Sequence, residues 1–172
     1  MSLTPLIVAP LAIQIHATSA IAAMLLGALV LFRRKGTPLH KAMGRVWCAL
    51  MLVAAGSSIF INEIRLIGPF SPIHIFTVLT FAGVATGIAQ IRAGNVRAHR
   101  ATMQSLYFLA LLLAGAFTLL PGRRMHDVLF GADSGWVPSL IAIPLALTVS
   151  LAVWRRLSRP TGLPLPIASL NR

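Results

Sequence analysis

Acidic residues are nearly missing from this chain. Three occur among 172 residues (Glu63, Asp127 and Asp133), with a single cysteine and a single tyrosine. So few carboxylates leave little to serve as general bases. One cysteine, Cys48, excludes an intramolecular disulfide and a cysteine-based zinc site. Charged residues of both signs make up only 10% of the chain, against about a quarter in a soluble domain. A formal net charge of +12 would otherwise suggest a nucleic-acid partner, but with 57% hydrophobic residues it does not. No phosphate-binding glycine loop, zinc-protease helix motif or cysteine pair is present.

What is present is long uncharged stretches separated by basic clusters. Met1–Phe32, Val46–Asn62, Leu66–Ile91, Ala101–Gly122 and Ser134–Trp154 carry no charge. A membrane-spanning helix needs roughly 20 mostly apolar residues, and a charge at its centre costs several kcal/mol. The pattern predicts an all-α integral membrane protein with five transmembrane helices, at about 6–32, 38–63, 72–93, 97–120 and 136–157. They form one domain over residues 1–159, followed by a Pro-rich cytoplasmic tail, 160–172. Twelve of the fifteen basic residues fall in the first loop, the third loop and the tail. By the positive-inside rule this side is cytoplasmic and the N-terminus lies outside, in a bacterial cytoplasmic (inner) membrane. No basic residue precedes the first apolar run, so that run is expected to stay in the protein as a helix. Trp47, Tyr107, Trp136 and Trp154 fall near predicted helix ends, as interfacial aromatics do.

The chain also carries an ordered duplication, with halves at about 6–63 and 72–120. His16 precedes Arg34 by 18 residues, and His74 precedes Arg92 by 18. Each arginine is followed by a glycine (Gly36, Gly94) and then a second histidine (His40, His99). Met43 and Met103, then Trp47 and Tyr107, continue the match. Two helical hairpins, helices 1–2 and 3–4, would thus form a four-helix bundle, with helix 5 outside the repeat. Thr37-Pro38 and Asn95 offer N-caps for the second helix of each hairpin, with Gly36 and Gly94 making the turns.

The four histidines fall on two levels. His16 and His74 lie about 27 Å from their arginines, at roughly 1.5 Å per residue, and so near the outer boundary. His40 and His99 lie at the cytoplasmic boundary. Two histidines facing each other across a four-helix bundle are a ligand set for haem b, or for a metal ion such as copper or zinc. His16 and His74 are the candidate haem or metal ligands, Arg34 and Arg92 further cofactor-binding candidates. A structural pair, compensated by a partner such as Gln14, is the other reading of the outer level. His40 and His99, flanked by Lys41, Arg45, Arg97 and Arg100, suit a second haem or an anion such as a lipid phosphate or haem propionate. Ser19, Ala23 and Gly27 on helix 1, with Ala82, Gly83 and Gly87 on helix 3, permit a flat cofactor or close helix packing. His126 is placed in an outer loop, where it could cover a cofactor or a quinone headgroup.

Arg33–Trp47 (RRKGTPLHKAMGRVW), SSIF, GPFSPIH, RAGNVRAHRATMQSLY and FTLLPGR, in that order, resemble bacterial predicted membrane proteins of the domain of unknown function 2306. The resemblance covers roughly His16 to His126 and implies a polytopic inner-membrane protein without an assigned activity. The two histidine levels resemble, as architecture, the two-haem transmembrane b-type cytochromes. The leading expectation is a b-type haem protein with an electron-transfer role, a possible membrane oxidoreductase using a quinone or a redox partner. A non-redox scaffold or assembly protein, and a metal-handling protein, are the alternatives; a homo-oligomer remains open.

Overall fold

The structure is a computed structural model, described over residues 2–61 and 73–158. Asn62, Glu63, Arg65, Arg159, Arg172 and the Pro-rich tail lie outside the described residues. Seven helices occur within them: α1 (Thr4–Ile7), α2 (Leu11–Phe32), α3 (Pro38–Ser58), α4 (Ile73–Arg92), α5 (Val96–Phe117), α6 (Arg124–Phe130) and α7 (Val137–Ser158). No strand occurs among the described residues. Leu11–Phe32, His74–Arg92, Val96–Phe117 and Val137–Leu157 are long and apolar enough to cross a membrane. The fifth predicted span, α3, is a helix of 21 residues, but Lys41 and Arg45 in its first two turns lower its apolarity.

The first span is shorter than the sequence pattern suggests. Pro10 stands at the N-cap of α2 with φ −53° and ψ 147°, separating it from α1. Proline brings no backbone N–H, and the extended ψ of Pro10 ends the helical path there. Gln14 Nε2 donates to the carbonyls of Ile7 (2.9 Å) and Ala9 (2.7 Å), which the break leaves free. Gln14 therefore serves the break and not His16.

The two hairpin turns agree with the sequence. Gly36 and Gly94 take positive φ, 80° and 76°, which glycine adopts at no steric cost. Thr37 accepts from the His40 backbone N–H, and Asn95 accepts from that of Ala98. These caps satisfy N–H groups that a helix start otherwise leaves open. α2 packs chiefly on α3, α4 on α5, and α3 on α4.

The core lies where three helices meet a small-residue strip of α2. Its three buried residues are Ser19, Ala23 and Gly27, the strip expected to permit either a cofactor or packing. Packing fills it here. Trp47 Nε1 donates to Ala23 O (3.0 Å), and the Tyr107 hydroxyl donates to Met24 O (3.1 Å). A Cβ at Gly27 would stand 2.6 Å from both aromatic rings. Trp47 and Tyr107 are 4% and 7% exposed, so neither is an interfacial anchor. A buried indole or phenol needs a partner, and the α2 carbonyls supply it. Trp136, 60% exposed, remains on the surface.

Within α5, Leu106–Leu113 is wound as a π-helix, which periodicity did not reveal. It buries Leu106, Tyr107, Phe108 and Leu111 together, and Phe108 stacks on Trp154 of α7 at 5.4 Å. The outward faces carry Leu25, Leu29, Val53, Val78, Leu140 and Leu145, all exposed. An apolar outer surface is what a lipid-facing bundle requires.

The Gly27 notch sets a test. Gly27→Ala should destabilise the purified protein by about 1–3 kcal/mol, the cost of overpacking. Gly44→Ala, with nothing within 4 Å of the added atom, should not. Thermal melting in detergent compares the two; equal behaviour would contradict the packing described.

Candidate functional site

The candidate site is an apolar cavity of about 420 Å³ with His16 on its wall. That volume falls in the range of roughly 300–1,000 Å³ typical of small-molecule and cofactor sites. The cavity lies toward the end opposite the basic loops and is bounded by α2 to α7. α7 closes one side of it and is held to the bundle at both ends. At one end Ser139 donates to the Leu119 carbonyl. At the other, Trp154 stacks on Phe108, and Arg100 Nη2 donates to Leu157 O (2.6 Å). Ala146 and Ser150, midway, face the cavity.

His16 Nδ1 lies 2.8 Å from Ala54 O. A carbonyl only accepts, so Nδ1 carries the proton and the lone pair sits on Nε2. A histidine that ligates a metal holds its ring in this way, its other nitrogen donating to a carbonyl. Met24, Met51 and Met125 line the same cavity, thioethers that apolar composition did not single out as ligands. The cavity's hydroxyls are satisfied within the protein. Ser58 and Thr77 bond each other at 2.6 Å, and Thr80 donates to Phe76 O.

The remaining expected residues are distributed differently. His74 is half-buried and does not line the cavity, but Thr77, three residues on and on the same helix face, does. Arg34 and Arg92 are exposed at the basic end. His40 and His99 are half-buried at the basic end, at the starts of α3 and α5. His99 Nδ1 donates to Gly87 O (2.8 Å). His40 does not copy this bond. Thr37 caps His40 itself, whereas Asn95 caps Ala98, so His99 stands one residue further along its helix. One residue is about 100° of helix rotation, enough to turn His40 from the equivalent carbonyl. Its Nδ1 is buried without a hydrogen-bond partner. Among the described residues, no three or more His, Cys, Asp or Glu side chains gather to hold a metal ion.

His126 is a correction to the sequence reading. It lies in helix α6, not in an open loop, and is 1% exposed. Its Nδ1 donates to Leu119 O (2.9 Å), Ser139 Oγ lies 3.0 Å from that nitrogen, and Ser134 Oγ lies 3.0 Å from Nε2. The Phe130 ring packs edge-on at 5.2 Å. Three segments are thereby tied at one buried point: the turn after α5, α6, and the start of α7.

Ser139→Ala removes a buried hydroxyl from this point and should cost about 1–3 kcal/mol. Thr148→Ala, exposed on the same helix, should stay within about 0.5 kcal/mol. Chemical or thermal unfolding in detergent reads both, and a neutral Ser139→Ala would contradict a structural role.

No curated protein and no solved structure matches the chain. A family model described as predicted membrane protein, domain of unknown function 2306, matches residues 13–156, most of the chain. The protein therefore belongs to that family of predicted membrane proteins.

Proposed function

We propose that the protein is a b-type haem protein of the bacterial cytoplasmic membrane with an electron-transfer role. In this reading α3 is a fifth span, the two hairpins are a duplication, and the basic end faces the cytoplasm. His16 supplies one axial ligand through Nε2, and His74, one turn beyond the cavity-lining Thr77, supplies the other.

The observation that carries the reading is the state of His16. Its ring stands on the wall of an apolar cavity, with Nδ1 engaged by Ala54 O and the lone pair left on Nε2. A structural histidine in apolar surroundings would be expected to use both nitrogens, as His126 does. The low-polarity lining would exclude water and tune the potential of a bound haem. The bundle supplies orientation and burial, and electrons would pass to a quinone or a protein redox partner.

The test is the visible spectrum of protein expressed with added haem, oxidised and then reduced with dithionite. A Soret band with sharp reduced α and β bands is expected, abolished in His16→Ala and in His74→Ala. A colourless preparation holding copper or zinc would move the cavity to metal handling. A colourless, metal-free preparation would leave a non-redox scaffold and overturn the reading.

A further inference from the structure

A second apolar groove, of about 140 Å³, runs between α2 and α7 on the basic side of the His16 cavity. Ala28 stands on its α2 wall, Val149 and Val153 stand on its α7 wall, and Tyr107 and Phe108 of α5 form its floor. Leu112 and Ser150 line both the groove and the His16 cavity, so the two adjoin. α7 packs chiefly on α5, and the groove follows its seam with α2. Phe32 and Val149, which also line it, are 69% and 55% exposed. The groove therefore opens on the apolar outer surface of the bundle.

The lining decides what can lie in it. Its two hydroxyls are already engaged: Tyr107 donates to Met24 O (3.1 Å) and Ser150 to Ala146 O (2.6 Å). No side-chain donor is left for a polar ligand, and the rest of the wall is hydrocarbon. A helix, about 10 Å across with its side chains, is too thick for a groove of this volume. An empty groove would forfeit the dispersion contacts of its walls. In a bilayer the group that fills such a space is a hydrocarbon chain. The mouth of the groove adds charge. Phe32 is the last residue of α2, and Arg33 follows it. Arg156 stands one turn past Val153 on the same face of α7. Both arginines are exposed, and neither α2 nor α7 contains an acid to answer them.

We propose that the groove binds one anionic phospholipid, with an acyl chain between α2 and α7 and the headgroup facing Arg33 and Arg156. The chain completes the packing of the seam between α2 and α7. The headgroup brings the negative charge that the two helix ends lack, and basic residues between span ends favour anionic headgroups over neutral ones. The site uses neither His16 nor haem.

Native mass spectrometry of the full-length protein, stripped of lipid in detergent, reads the site as phosphatidylglycerol is added back. One tightly held molecule per protein is expected. Phosphatidylcholine with the same chains, and phosphatidylglycerol with six-carbon chains, should each be held more weakly. Ala28→Leu fills the groove from α2 and should abolish the tight binding. Ser150→Leu fills it from α7 and covers the case in which the first variant does not fold. Arg33→Ala and Arg156→Ala should each weaken binding about fivefold. Arg45→Ala removes an exposed charge at the same end from α3, which does not line the groove, and should change it little. Equal binding of phosphatidylcholine or of the short-chain lipid would overturn the proposal. So would phosphatidylglycerol binding that survives both groove-filling substitutions, or no tight binding at all.

Discussion

Register between α2 and α3 governs everything on the candidate site's side of the molecule, and Trp47 sets it. Its indole N–H is fixed on Ala23 O. Seven residues toward the start of α2 stands His16, and seven residues toward the end of α3 stands Ala54. Seven residues are about two helical turns, returning to nearly the same face. In an antiparallel pair, the bond between Trp47 and Ala23 therefore brings His16 onto Ala54, where their hydrogen bond forms. The absence of a side chain at Gly27 is what lets Trp47 and Tyr107 come so close to α2. A helix pair without this notch would ride further apart, and His16 would lose the carbonyl that holds its proton on Nδ1.

Four of the five expected spans and the two turns were legible in the sequence because they rest on local chemistry. Charge cannot lie mid-membrane, glycine takes positive φ, and Thr37 and Asn95 cap with their own side chains. The inward and outward faces were not legible. In a soluble helix a polar face meets water and an apolar face the core, but in lipid both are apolar. Nothing in composition therefore distinguished Trp47 and Tyr107 as core residues from Trp136 on the surface. The π-wound turn of α5 and the three methionines of the cavity were hidden for the same reason. His126 read as a loop residue because Pro121, Gly122 and two arginines precede it, and only the tertiary approach of Ser139 encloses it. The matched histidines were visible as pairs. The one-residue difference between them stands in the sequence, where His40 follows Gly36 by four residues and His99 follows Gly94 by five, but its effect on the two rings was not legible there.

The scarcity of acids shapes the basic end as much as the abundance of arginine does. Backbone carbonyls at helix ends take the place of carboxylates: Lys35 closes the end of α2, and Arg100 that of α7. Cations are favoured there by the helix dipole. Carbonyls carry no full charge, so this end stays electropositive. The opposite end is built differently, with a buried histidine tying three segments and an apolar cavity above the core. One bundle thus presents an electropositive end and, toward the other end, an apolar cavity with His16 on its wall.

The claim on which the account turns is that His16 Nε2 ligates iron in the cavity. Low-temperature electron paramagnetic resonance of the oxidised protein, wild type beside His16→Ala, addresses it most directly. The account predicts a low-spin ferric haem signal in the wild type that disappears or turns high-spin in His16→Ala. A low-spin signal unchanged by that substitution, or no ferric haem signal at all, would contradict it.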